Sequence, residues 1–215
     1  KTPQRVLHVA TTGNNQTGDG SAGKPYKTIA HAAKQATPGT AVRIHAGTYS
    51  GGNSISGLAG SATAPIWIGG APGEAKPLIS GGNQALHFVK VRYLVVHDLE
   101  VANMSSNGIN CDDGGELNNP DATRYVVFRG LEIHDIGGSG NEDCLKLSGL
   151  DDYFVLDSSF TRCGGSSKGS GVDHVGCHDG LIHGNRFEQM SGNAVQSKGG
   201  STDIEIRANT LINAG

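Results

Sequence analysis

Five times between residues 96 and 211 the chain sets one apolar residue five positions after another. The pairs are Val96 and Val101, Phe128 and Ile133, Val155 and Phe160, Ile182 and Phe187, and Ile206 and Leu211. The residues between them are small or polar, among them Arg129-Gly130, Gly184-Asn185 and Ala208-Asn209. Successive phrases open 32, 27, 27 and 24 residues apart. A period near 25 residues with one longer step marks stacked repeats, each too small to bury its own apolar face. Function in such a chain belongs on one face, where the same position recurs coil after coil.

Composition agrees. The chain has 34 Gly among 215 residues and only 17% charged residues, and Gly, Asn, Asp and Ser mark turns at the short intervals that short strands require. An array of this kind reads as one unit over 1–215, with a cap over about 1–50 and coils over about 51–215. A net charge of −3 lacks the basic stripe of a nucleic-acid binder. No run of about 18 apolar residues is present, so no membrane span is expected. The opening Lys1-Thr2-Pro3 fits a processed or trimmed chain. Cys111, Cys144, Cys163 and Cys177 suit either disulfides in an exported protein or buried thiols. They contain no CxxC pair that would suggest zinc.

The first fifty residues differ from the rest. A short strand over 6–10 leads into a polar loop. A helix is expected to start with Pro25-Tyr26-Lys27-Thr28-Ile29 and run to about Ala36, with Ile29, Ala33 and Ala36 on one side, stopped by Thr37-Pro38-Gly39. One strand is expected over 42–49. Such a helix can cover the first open coil, which otherwise exposes a sheet edge and an apolar interior. From Pro65 onward only strands and turns follow, giving coils of two or three short parallel strands about 4.8 Å apart. The last residues, 211–215, fall within a coil and no cap follows, which leads us to expect part of a longer solenoid.

The opening is similar to the N-terminal cap of right-handed parallel β-helix proteins of the polysaccharide-lyase type. The matching residues are Leu7-His8-Val9-Ala10-Thr11-Thr12-Gly13, Gly23-Lys24-Pro25-Tyr26-Lys27-Thr28-Ile29, Pro38-Gly39-Thr40 and Ala46-Gly47-Thr48-Tyr49. Within that group the chain most resembles family 9 pectate lyases and their relatives. The resemblance implies an all-β, right-handed parallel β-helix with a short capping helix, and cleavage of an acidic polysaccharide by β-elimination. It further implies a Lys base and a calcium ion on a cluster of Asp in the neighbouring coil. Handedness comes from this resemblance and from the rule for parallel crossovers.

Aligning the coils on the apolar phrase puts Asn110, Lys146, Asp173 and Gln196 in one outward column. Asp112, Ser148, Val175 and Lys198 follow two residues later on the same face. β-Elimination needs a cation to neutralise the uronate carboxylate and a base within about 3 Å of the C5 proton. Lys146 best matches the family's base, with Asp173 beside it; a salt bridge between the two is the plain structural alternative. Asn110, Gln196 and Lys198 are candidate substrate-binding groups. The family's acidic cluster, Asp-Asp-Gly-x-Asp, aligns with Ser106-Asn107-Gly108-Ile109-Asn110, where every carboxylate is replaced. A shifted calcium site would draw on Asp112, Asp113, Glu142 and Asp143, whose alternative is solvated turn carboxylates. His174 falls in the inward column of Cys111, Leu147 and Ser197, as an interior histidine, while His178 and His183 are expected near turns. The pair Asp143 and Asp173 would suit a glycoside hydrolase. The leading expectation is therefore a secreted, periplasmic or cell-surface polysaccharide lyase acting on an acidic polysaccharide. A non-catalytic glycan-binding solenoid and a glycoside hydrolase are the alternatives.

Overall fold

The computed structural model describes residues 1–116, 119–138, 140, 142–166 and 168–214. It is a parallel β-helix whose complete coils each visit three sheets. Sheet I has eight strands, sheet II six and sheet III seven, each joined in coil order. One coil shows the pattern: Leu145–Ser148 lies in sheet II, Asp151–Leu156 in sheet I and Ser159–Cys163 in sheet III. All strand pairings in the three sheets are parallel.

The five apolar phrases are the corner between sheets I and III. Val96, Phe128, Val155, Ile182 and Ile206 stack in sheet I, and Val101, Ile133, Phe160, Phe187 and Leu211 in sheet III. The first four of each column are fully buried. Phe160 and Phe187 stack at 5.0 Å and 9°, a parallel geometry that a ladder of identical positions imposes. Ile206 and Leu211, in the last coil, are 48% and 59% exposed.

The polar residues inside each phrase make the bend. Asp98, Gly130, Asp157, Gly184 and Ala208 occupy one corner column, and all have positive φ, from 49° to 71°. Asp tolerates that conformation and Gly adopts it freely. A Cβ on Gly130 would sit 2.7 Å from Asp98 Oδ1, and one on Gly184 would sit 2.6 Å from Asp157 Oδ1, so a coil whose neighbour carries Asp needs Gly here. Behind the bend, Asn185 donates to the carbonyl of Val155 at 2.9 Å and Asn209 to that of Ile182 at 2.8 Å. These amides satisfy backbone carbonyls that the corner would leave unpaired. In the long first step of the repeat, eleven residues separate Ile109–Asp112 of sheet II from Arg124–Arg129 of sheet I, whereas only two follow Leu86–Val89, Leu145–Ser148 and Val172–Val175 before the next sheet I strand.

The helix Ile29–Lys34 is capped by Thr28, whose hydroxyl accepts from the His31 amide at 3.4 Å, and it buries Ile29, Ala32 and Ala33 against the first coils. It ends before Ala36, which packs partly buried beside the core. The single strand expected over 42–49 is two. Thr40–Ile44 belongs to sheet I and Thr48–Ser50 to sheet III, with a corner at Gly47 (φ 148°). The cysteines divide: Cys144 and Cys163 form a disulfide, while Cys111 and Cys177 are buried thiols. His178 and His183 are the two end residues of one strand, beside the turns that bound it at Gly176 and Gly184. Among the described residues no helix is long and apolar enough to cross a membrane.

Candidate active site

Sheet II consists of Asn53–Ser56, Leu86–Val89, Ile109–Asp112, Leu145–Ser148, Val172–Val175 and Val195–Lys198. Alternation along each strand sends one residue in and the next out. The inward row is Ile55, Phe88, Cys111, Leu147, His174 and Ser197, and the outward row is Ser54, His87, Asn110, Lys146, Asp173 and Gln196. The four outward residues expected from the sequence therefore do stand side by side. Ser54 and His87 extend their row to about 24 Å at ~4.8 Å per rung. Both were missed because their coils precede the first apolar phrase, although Leu86-His87-Phe88 already alternates. A hollow of about 150 Å³ lies at this end of the row, lined by Asn53, Ser54, Asn83, Gln84 and His87.

The row's charge is concentrated around Asp173. Its Oδ2 accepts from Lys146 Nζ at 2.5 Å and from Lys198 Nζ at 2.7 Å. Lys198 comes from the row two residues further on and leans back to reach it. Asp143, just before the strand Leu145–Ser148, places Oδ2 3.6 Å from Lys146 Nζ, and its Oδ1 accepts from the Ser170 amide at 2.7 Å. The side chains of Asp173 and Asp143 are 0% and 1% exposed, whereas those of Lys146 and Lys198 are 19% and 38% exposed. The carboxylates form the floor and the ammonium groups the lid.

Burial and a neighbouring charge set the two carboxyls apart. Burial pushes Asp143 up to about 6; the Ser170 amide works against this and the charge of Asp173 adds to it. Burial also opposes ionisation of Asp173, but hydrogen bonds from Lys146 and Lys198 outweigh it, and its pKa lies below the ordinary carboxylate value. The bond to Asp173 raises the pKa of Lys198. Behind this cluster His174 points inward, as expected. Its Nε2 bonds to Ser197 Oγ and its Nδ1 has no partner among the described residues. Burial lowers it to about 4, with Asp173 opposing and Lys146 assisting, so at neutral pH it is a neutral interior imidazole off the outward row.

The other sequence candidates do other work. Asp112 accepts from Asn110 Nδ2 at 3.0 Å, is 2.5 Å from His87 Nε2, and takes the Gly114 amide at 2.9 Å. Asp113 is buried and accepts from the Gly115 amide at 2.8 Å. Glu142 accepts from the Gly140 amide at 2.7 Å. Gln196 accepts from Lys198 at 3.4 Å. As a calcium site, Asp112, Asp113, Glu142 and Asp143 do not converge. Asp112 ends and Asp113 follows one sheet II strand, whereas Glu142 and Asp143 precede the next, so the two pairs sit at opposite ends of the four-residue strands. Among the described residues no three His, Cys, Asp or Glu side chains stand together in a way that could hold a metal ion, and Asp143 already faces an ammonium. Calcium wants six to eight oxygens, and these residues do not supply them.

Residues 11–55, in the cap and first coil, match a family described as "Protein of unknown function (DUF1565)". No curated protein matches the sequence. Among solved structures, the chain is similar to a GH136 lacto-N-biosidase from Eubacterium ramulus, at 13% identity and a TM-score of 0.63, over 96% of this chain and 56% of that one. It is similar to pectate lyase Pel9A at 16% identity and a TM-score of 0.62, over 86% of this chain and 54% of that one. An alginate lyase from Paenibacillus sp. str. FPU-7 matches at 17% identity and a TM-score of 0.62, over 98% of this chain and 77% of that one. The chain thus spans little more than half the length of the first two. At these identities the likeness is one of fold, and that fold is shared by carbohydrate-active enzymes of more than one chemistry.

Proposed function

We propose that this chain carries the uronate-handling site of a polysaccharide lyase. One observation carries the reading: two ammonium groups, and no carboxylate, are the solvent-facing charges of the cluster on the outward row of sheet II. Because both bond one oxygen of Asp173, they lie within about 5 Å of each other, a sum set by the two contacts. A glycan laid along the row would meet hydrogen-bonding groups at Ser54, His87, Asn110 and Gln196, and two cations between them.

In this reading Lys198, whose proton the bond to Asp173 holds more tightly, turns to the uronate carboxylate and stabilises the enolate that forms when C5 loses its proton. Lys146 leaves Asp173, gives up one ammonium proton to solvent, and as the neutral amine accepts the C5 proton. The electron pair from the C5–H bond then forms the C4–C5 double bond as the C4–O4 bond breaks, and the departing oxygen takes a proton from solvent or from Lys146. Asp173 holds both side chains in place before substrate arrives. No step is routed through calcium. The Cys144–Cys163 disulfide supports an oxidising, extracytoplasmic location.

A glycoside hydrolase is the second reading, favoured by the split between Asp143 and Asp173, since acid and base roles follow carboxyls whose environments push their pKa values apart. Against it, both carboxyls are covered, and hydrolysis requires them to reach the sugar. Incubation with polygalacturonate, alginate and other uronate polymers distinguishes the two. The lyase gives an ultraviolet-absorbing unsaturated product, equally with and without chelator, and Lys146→Ala lowers the rate about 10³-fold. New reducing ends without that absorbance would establish the hydrolase, and polymer binding without any product would mark a non-catalytic solenoid.

A further inference from the structure

Sheet I presents a different outward face. Register places Trp67, Val95, Val127, Phe154 and Leu181 in one row. All five are partly exposed, and none of the described elements packs over them. The row runs about 19 Å at ~4.8 Å per rung. At its edge, Tyr93 and Tyr125 stack at 4.5 Å and Arg124 lies 4.5 Å above the Tyr125 ring. These tyrosines wall a hollow of about 450 Å³ that also takes in Pro65, Val95, Val127 and Phe154.

Two residues along each strand, on the same face, runs a second row: His8, Arg43, Gly69, His97, Arg129, Leu156, His183 and Arg207. Six of its eight members are basic and none is acidic. Acids touch it from the side: Asp98 bonds His97, Glu205 bonds Arg207, and Glu74 reaches His8 through His45. Arg43 and Arg129 make no ion pair with any described residue. The face is therefore an apolar, partly aromatic stripe lying parallel to a basic one.

We infer that this face is a second binding surface, for an acidic polysaccharide chain, separate from the Lys146 cluster. A pyranose chain offers flat C–H faces to the apolar row and carboxylates at intervals to the basic row. The spacing favours it over a polyphosphate. The permanently charged members, Arg43, Arg129 and Arg207, recur every third rung, about 14 Å apart, whereas a single nucleic-acid strand carries a charge about every 3.4 Å. The surface would hold a polymer while the cluster on sheet II works on it, and the inference stands or falls without that chemistry.

The chain's single tryptophan makes the test direct. Trp67 lies in the apolar row, on a different sheet from Lys146, so its emission reports this face. Titration of the full chain with polygalacturonate shifts Trp67 emission to saturation, and Lys198→Gln leaves that titration unchanged. R43E/R129E, or Arg129→Glu alone should the double variant fold poorly, weakens it about tenfold, as does Phe154→Ser. Circular dichroism confirms that each variant keeps its strands. Unchanged emission at saturating polymer, or wild-type affinity in every one of these variants, overturns the inference. So does dextran or a poly(dT) oligonucleotide binding as tightly as polygalacturonate, or self-association that Phe154→Ser abolishes.

Discussion

The outward faces of sheets I and II are built by the same coils, yet they manage charge in opposite ways. On sheet II, Lys146, Lys198 and Asp173 satisfy one another, and the acid at their centre has no exposed surface. On sheet I, Arg43 and Arg129 stand apart beside an apolar row. The difference shows where a solenoid commits stability. Removing one member of a buried charge cluster strands the others, whereas removing an isolated exposed cation strands nothing.

Breaking the comparison at its strongest point gives the largest effect. Asp173→Ala leaves two ammonium groups without the carboxylate they share, and we expect it to lower stability by about 3–5 kcal/mol, read as a lower urea midpoint with an unchanged slope. Next comes the staple beside the cluster. C144A/C163A releases a loop with a sequence separation of 19 and is expected to cost about 3 kcal/mol by the same measurement. The pH dependence of the cluster sharpens the contrast further. Asp143 titrates at about 6 when folded, above its ordinary 3.8. The stability it gives is complete below about pH 4 and lost as pH rises towards 6. Asp173 lies below its ordinary value, so its contribution is present above about pH 4 and lost as pH falls below that. Asp143→Asn is expected to abolish the decline between about pH 4 and 6; urea midpoints across that range that still fall as in the parent chain would remove Asp143 as its source. The smallest effect belongs to sheet I: Arg129→Ala changes stability by no more than about 0.5 kcal/mol while weakening polymer binding.

Much of this was legible in the order of residues. The phrase from Val96 to Val101 and its four echoes mark a corner and its register, and from that register the alignment of Asn110, Lys146, Asp173 and Gln196 follows. What escaped depended on contacts that no repeat encodes. Asp173 stands in an outward row and would ordinarily be exposed, but the stems of Lys146 and Lys198 close over it. The pairing of Cys144 with Cys163 links the approach to a sheet II strand with the end of a sheet III strand, a neighbourhood that only the completed coil creates. The apolar face of sheet I was hidden for a different reason. A string such as Tyr93-Leu94-Val95-Val96 reads as a strand buried on both sides, and nothing local says that Val95 looks outward.

Two sulfur atoms inside the coils have a practical use. Burial raises the thiol of Cys111 well above its ordinary value and that of Cys177 to about 11, so neither offers a nucleophile, or a path to one, while the stack is shut. An alkylating reagent would therefore record how often the coils part. Because the two thiols lie on different coils, the two labelling rates would show whether the helix unzips progressively from one end or opens as a single body.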